Sequence, residues 1–175
     1  MILSDQDIKK RILDDNVPRA YMLGIDPFDE ELIQPASVDF RIGDTVKRMV
    51  EPDDIHTALG SRFIDPRVDY NEWMATFSLG EIGEEFLIPP GQLVLVNTYE
   101  YFHVPIDLAA EVAGKSSLGR LGLSIHVTAG FLDPGWEGNI TLELTNFSHL
   151  PIVLYHQMKI GQIIFCNPIF FNSIV

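Results

Sequence analysis

The chain has 175 residues, of which 46% are hydrophobic and 21% charged, so it is long enough for one domain with a full core. We therefore expect residues 1–175 to form a single domain. Its formal net charge of -13 disfavours a nucleic-acid partner, because an acidic surface repels phosphate backbones and no run of Lys or Arg offsets it. The single cysteine, Cys166, excludes an internal disulfide and a cysteine-rich zinc site.

Two further features bear on location. No apolar run reaches the roughly 20 residues that a membrane-spanning helix needs. The first residues, MILSDQDIKKRILDD, lack the basic start and apolar core of a secretory signal. We therefore expect a cytoplasmic protein without a membrane partner.

The N-terminal segment predicts a short helix. Ser4 is placed to cap it, acidic residues suit its first turn, and Ile8, Ile12 and Leu13 form an apolar stripe.

Downstream, short alternating segments predict strands. A strand over 38–42 is expected to end at Gly43, and residues 44–83 are interpreted as strand fragments and surface loops. Segment 107–123 is expected to hold one strand and one helical turn. Further strands are predicted at 86–88 and 93–98 and in the alternating stretches 138–148 and 151–167. Many short strands and one good helix indicate an all-β barrel or sandwich.

Residues 114–120, GKSSLGR, bring together groups that could hold a small anion. Flanking glycines let the backbone approach a ligand, Ser116 and Ser117 offer hydroxyls, and Lys115 and Arg120 offer positive charge. The spacing is not that of a P-loop. The structural alternative is a polar turn between strands.

Two carboxylates also have a structural and a functional interpretation. Asp133 begins the turn Asp-Pro-Gly, where it could cap the turn, orient a water or hold a sugar hydroxyl. Strand alternation places Glu143 on the face opposite Leu142 and Leu144, where it could be solvent-facing or serve as a general acid/base.

The histidines do not have metal-ligand spacing; they stand at positions 56, 103, 126, 149 and 156. The His-x-Glu and Pro-Cys-x-x-Cys pattern of the zinc deaminases is also missing. Hydrolytic chemistry in this chain is therefore expected to proceed without zinc.

The stretch KSSLGRLGLSIHVTAGFLDPGWEGNITLEL, with QPASVDFRIG upstream and MKIGQI downstream, closely resembles the dCTP deaminases of the trimeric dUTPase-like superfamily. The resemblance covers most of the chain from about residue 34, and the N-terminal ILSDQDI resembles that family as well. It implies a mainly β, distorted barrel of the jelly-roll-like dUTPase type with a short N-terminal helix. It also implies a homotrimer with three active sites between subunits.

The resemblance further implies zinc-independent hydrolytic deamination of dCTP to dUTP and ammonia, which supplies dUTP for dUMP and dTTP synthesis. Mg²⁺ would enter on the triphosphate, with no metal ligand from protein side chains. The implied catalytic residues are Glu143 as the glutamate acid/base, Ser116 beside the cytosine ring, the active-site Arg120 and the Asp-Pro-Gly residue Asp133. The implied substrate contacts add Lys115, where the family often has Arg, together with Ser117, Ala129 near the base and Gln162 near the triphosphate.

Three alternatives to this activity predict different sequence features. The dUTPases generally carry an apolar residue at the position of Glu143 and a glycine-rich C-terminal arm, and this chain has neither feature. A bifunctional deaminase would yield dUMP, pyrophosphate and ammonia, and TAGFLDPG resembles those members more than the enterobacterial type, which has a bulkier basic pair after TA. A non-enzymatic nucleotide-sensing trimer would be expected to lack the general base.

The sequence departs from the family in two places. It ends at NPIFFNSIV, where family members usually continue into a tail that closes over the triphosphate, so we expect lid closure to differ. Gln157 stands where the family usually has Gly, so we expect that turn to differ.

Overall fold

The computed structural model describes residues 1–50, 64–80 and 84–168, which form mostly β-structure. The helical elements in these ranges are α1 (Asp5–Leu13), α2 (Ser116–Gly119) and 3-10 turns at Arg19–Tyr21, Glu30–Leu32 and Tyr70–Trp73. The strands are β1 (Gly24–Asp26), β2 (Ile33–Gln34), β3 (Ser37–Met49), β4 (Met74–Ser78), β5 (Glu85–Ile88), β6 (Leu93–His103), β7 (Ala109–Gly114), β8 (Leu123–Ser124), β9 (Phe131–Leu132), β10 (Glu137–Asn146), β11 (Ile152–Tyr155) and β12 (Lys159–Cys166). No helix in the described ranges is long and apolar enough to cross a membrane.

One antiparallel sheet organises these strands, in the order β8-β10-β6-β3-β12-β7-β9. β1 adds to β6, β2 and β4 add to β3, and β5 pairs separately with β11. Alternation buries one face: Ile140, Leu142 and Leu144 of β10 are almost fully inaccessible to solvent, while Thr141 is exposed. The mainly β fold with a short N-terminal helix is therefore confirmed.

Helix α1 forms where the sequence predicts it. The Ser4 hydroxyl accepts a hydrogen bond from the Asp7 N–H at 3.2 Å, and the Asp7 carboxylate accepts one from the Ser4 N–H at 3.3 Å, which is a capping box. Ile8 is fully buried and Ile12 packs against the core. The prediction for Leu13 was wrong: it is 56% exposed, because the last residue of the helix lies outside the i, i+4 stripe of Ile8 and Ile12.

Strand β3 does not end at Gly43, so that prediction was wrong. β3 pairs with β12 through residues 38–41 and with β6 and β4 through its second half, so it passes from one part of the sheet to the other near Gly43. A Cβ at Gly43 would lie 2.6 Å from the amide of Asn97 on β6. The glycine therefore leaves room for the side chain of Asn97 where β3 passes between the two parts of the sheet.

Residues 44–83 contain more regular structure than strand fragments and loops. Residues 44–49 complete β3, and β4 pairs with them from Thr45↔Ser78 to Met49↔Met74. The remainder of that prediction falls partly on 51–63 and 81–83, which lie outside the described residues.

The alternating stretch 151–167 is two strands separated by a tight turn. Within that turn, Gln157 has φ 62°, in the left-handed region that glycine adopts at little cost. Its N–H donates to the Ile42 carbonyl at 2.9 Å. The turn therefore keeps a conformation suited to glycine, and Gln157 destabilises it by about 1 kcal/mol.

Candidate active site

The carboxylate of Glu143 is held by the backbone of a neighbouring loop. Its Oε2 accepts hydrogen bonds from the N–H groups of Val127, Thr128 and Ala129 at 2.8, 2.7 and 3.3 Å. The Thr128 hydroxyl donates to Oε1 at 3.4 Å, and the Glu143 N–H donates to the Ile125 carbonyl at 3.1 Å. Glu143 therefore points away from the core, as predicted, and it lies beside Ala129.

These contacts shift the pKa of Glu143. Burial raises the pKa of the carboxyl, but the hydrogen bonds from the backbone of Thr128, Val127 and Ala129, with the Thr128 hydroxyl, outweigh it. The net effect is a pKa below the usual range for glutamate. The side chain is therefore ionised at neutral pH and able to accept a proton.

Helix α2 is a single turn that follows directly after β7 and carries Ser116 and Ser117. Arg120 comes next, and its N–H donates to the Ser116 carbonyl at 3.0 Å. All three side chains are exposed, and the structure records no hydrogen bond or ion pair between them and any other described side chain. Their hydroxyl and guanidinium groups are open to a ligand. The predicted helical turn is confirmed.

The chain passes from this turn to β8, which lies beside the strand that carries Glu143. Strand β8 pairs with the end of β10, with Ser124 opposite Thr145, two residues from Glu143. Gly122 makes this close approach possible: its φ is 94°, and a Cβ would lie 2.9 Å from the Ser148 nitrogen. Gly122 thus allows the segment that follows α2 to lie close to the chain just after β10.

Lys115 and Gln162 belong to a second cluster, which also contains Asp39 and Ser37 and spans the neighbouring strands β3, β12 and β7. The Lys115 ammonium pairs with the Asp39 carboxylate, and the Ser37 hydroxyl donates to Gln162 Oε1 at 3.0 Å. Gln162 on β12 stands between Asp39 on β3 and Ala113 on β7. Sequence reasoning missed Asp39 and Ser37 as neighbours of the site. The sequence shows only that both alternate with apolar residues in QPASVDFRIG, and the structure shows that both are nonetheless buried.

Asp133 lies apart from Lys115 in the folded chain. It begins the predicted turn, in which Gly135 has φ 82° and the Trp136 N–H donates to the Asp133 carbonyl at 3.1 Å. It follows β9, which pairs with the start of β7, whereas Lys115 follows the end of β7. At about 3.3 Å per strand residue, roughly 20 Å separates Asp133 from Lys115 along the sheet.

The described residues contain no group of three or more His, Cys, Asp or Glu side chains arranged to hold a metal ion. His56 lies outside the described residues. The N–H groups of residues 127–129 are occupied by the Glu143 carboxylate. The exposed hydroxyls of Ser116 and Ser117 and the guanidinium of Arg120 suit an anionic ligand rather than a cation.

Comparison with known proteins identifies the family of this chain. The family model for dCTP deaminase-like proteins matches residues 2–167. The chain belongs to the dCTP deaminase-like family. The predicted family is therefore confirmed, and so is the prediction that the chain is an enzyme.

Individual relatives of this dCTP deaminase-like chain are named for their product. A Corynebacterium glutamicum (strain R) protein, "dCTP deaminase, dUMP-forming", is 47% identical over 163 residues, which is 93% of this chain and 79% of that protein. A protein of the same name from Rhodococcus erythropolis is 46% identical with the same coverage.

Among solved structures, the dCTP deaminase from Agrobacterium tumefaciens superposes with a TM-score of 0.68 and 25% sequence identity. The match covers 95% of this chain, which spans about half (48%) of the length of that solved chain. The fold seen here is therefore that of a dCTP deaminase.

Proposed function

We propose that this chain converts dCTP and two water molecules to dUMP, pyrophosphate and ammonia. Sequence reasoning ranked dUTP as the product and dUMP as the alternative. The names of relatives that are 46–47% identical over 93% of the chain support the alternative better. Because dCTP is a cytoplasmic metabolite, the proposal includes a cytoplasmic location.

The Glu143 carboxylate, held by the N–H groups of residues 127–129, is the observation that carries the deamination. In the proposal it takes a proton from a water molecule, which attacks C4 of the cytosine ring. The same carboxyl group then returns the proton to N3 or to the departing amine. Ser116 holds or polarises the water, and the backbone at Ala129 lies near the base. No zinc takes part in these steps.

The triphosphate has its own proposed contacts. The side chains proposed to contact the phosphates are Ser117, Gln162 and Arg120, which supply a hydroxyl, an amide and a positive charge. Lys115, whose ammonium pairs with Asp39, lies at the start of the turn that carries Ser117. Mg²⁺ enters bound to the phosphate oxygens of dCTP and offsets their repulsion from a protein with net charge -13. Hydrolysis of the triphosphate to pyrophosphate requires a second oriented water, and we assign that role to Asp133.

The loop beside Glu143 also supports dUMP as the product. The resemblance to the bifunctional type rests on the small residue after TA, which is Gly130. A Cβ at Gly130 would lie 2.4 Å from the His126 ring, so the loop as folded has no room for the bulkier pair of the enterobacterial type.

We further propose that the active site is shared between subunits of a homotrimer. Asp133 lies roughly 20 Å from Lys115 within one subunit, so a site that uses both residues needs a second copy of the chain. Light scattering should give about three times the chain mass of 19.7 kDa. A stable and fully active monomer would contradict the shared site.

Product analysis is the decisive test. Labelled dCTP and Mg²⁺ are incubated with the enzyme in the presence of excess unlabelled dUTP, and the nucleotides are then separated. We expect label in dUMP with stoichiometric pyrophosphate, no label trapped in dUTP, and loss of turnover when EDTA removes Mg²⁺. Label that accumulates in dUTP would show that the chain only deaminates dCTP and would contradict dUMP as the product. Absence of turnover would contradict the enzymatic proposal.

A further inference from the structure

Asp39 is a buried carboxylate whose pairing the proposed chemistry leaves unexplained. It is 4% exposed and lies on β3 between the core residues Val38 and Phe40. Its partner is the ammonium group of Lys115, which reaches it across β12. A carboxylate so far from water is costly unless it is paired, so the two side chains are held to one another.

Lys115 is also fixed through its backbone. Its N–H donates to the Ile160 carbonyl on β12 at 3.2 Å. Its carbonyl accepts hydrogen bonds from the N–H groups of Leu118 and Gly119, both at 3.0 Å. Lys115 therefore connects the turn of α2 to the sheet through its backbone, and Asp39 holds the Lys115 side chain in place.

We propose that Asp39 is a positioning residue that acts through Lys115 to fix the turn carrying Ser116 and Ser117. This inference rests on the proposed function for the role of those two serines. The ion pair keeps Lys115 from rotating away from β12, and a displacement of the turn by about 1 Å is enough to lower a rate substantially. Since Asp39 neutralises the Lys115 ammonium, Arg120 is the cation whose full charge is available to the triphosphate.

The test compares Asp39→Asn, Lys115→Met and the double variant. If the pair acts as one positioning unit, each single variant lowers kcat about 10- to 100-fold with little change in KM. The double variant should then be no worse than the poorer single variant, because residues that act as a unit are not additive. The double variant also leaves no unpaired buried charge, so it remains interpretable if Lys115→Met does not fold. Lys115→Arg, which can keep the pair, should lose much less than Lys115→Met.

A direct phosphate contact by Lys115 predicts a different pattern. Lys115→Met would then raise KM for dCTP at unchanged kcat. Asp39→Asn would lower KM, because it removes a negative charge from beside the triphosphate. Either result, or losses that add in the double variant, would overturn the positioning role.

Two controls distinguish a loss of positioning from a general loss of stability, and test the positioning role independently of the proposed function. Asp107→Asn removes the partner of another partly buried pair, Arg11–Asp107 at 2.6 Å, and should lower Tm without changing kcat. Hydrogen exchange of residues 115–120 should be faster in Asp39→Asn than in wild type and unchanged in Asp107→Asn. Hydrogen exchange can be measured without turnover. If the wild-type protein is inactive on dCTP but exchange is still faster in Asp39→Asn, the proposed function is refuted and the positioning role is not. Unchanged exchange would refute the positioning role.

Discussion

Glu143→Gln is expected to lower the kcat of dCTP deamination at least about 100-fold while dCTP binding is largely kept. The substitution keeps the size of the side chain and an oxygen that can accept from the Val127 and Thr128 N–H groups. It removes the group that takes and returns the proton. Steady-state kinetics together with a binding measurement on the same preparation separate the two effects.

The matched control is Glu137→Gln, on the same strand. Glu137 is exposed and its carboxylate lies 3.4 Å from His103 Nδ1, away from the loop at Val127. Its replacement should leave kcat within a factor of about two, as expected for a surface substitution. Near-normal turnover in Glu143→Gln would show that Glu143 is not the general acid/base.

The pH profile gives a second readout of the same change. Since the pKa of Glu143 lies below the usual range, its carboxylate stays ionised as the pH falls through the ordinary titration range of glutamate. Wild-type kcat/KM should therefore fall only below that range, and the residual activity of Glu143→Gln should lack this acid limb. An acid limb retained in the variant would show that another group titrates.

Arg41→Met is expected to lower the free energy of unfolding by about 3–5 kcal/mol. Glu100 is fully buried, and its carboxylate accepts hydrogen bonds from Arg41 Nε at 2.6 Å and from the Arg41 backbone N–H at 2.8 Å. Loss of the guanidinium leaves a buried charge with the backbone contact alone. Denaturant unfolding with an unchanged slope measures the difference.

Two variants control for this result. Arg41→Met with Glu100→Gln removes both charges and should recover part of the lost stability. Lys9→Met breaks the exposed Lys9–Glu30 pair at 2.6 Å and should cost less than about 1 kcal/mol. If Arg41→Met is no more destabilising than Lys9→Met, the buried pair does not stabilise the sheet.

The sequence by itself determined the features that depend on neighbouring residues along the chain. Alternation in GNITLEL placed Glu143 opposite Leu142 and Leu144, as β10 shows, because successive side chains of a strand point to opposite faces. Ser4 and the stripe through Ile8 were sufficient for α1, since capping and i, i+4 contacts lie within a few residues. The family could also be recognised, because its motifs are continuous stretches.

Only the tertiary structure decided which distant residues meet. Asp39 and Lys115 are 76 residues apart in the chain, and they pair because β12 lies between β3 and β7. The need for glycine at Gly43 likewise depends on the approach of the Asn97 side chain from β6. The lowered pKa of Glu143 depends on the backbone of residues 127–129, which folds back onto β10. Periodicity reports the local conformation of each strand, whereas strand order, burial and hydrogen bonding between loops arise from packing over the whole chain.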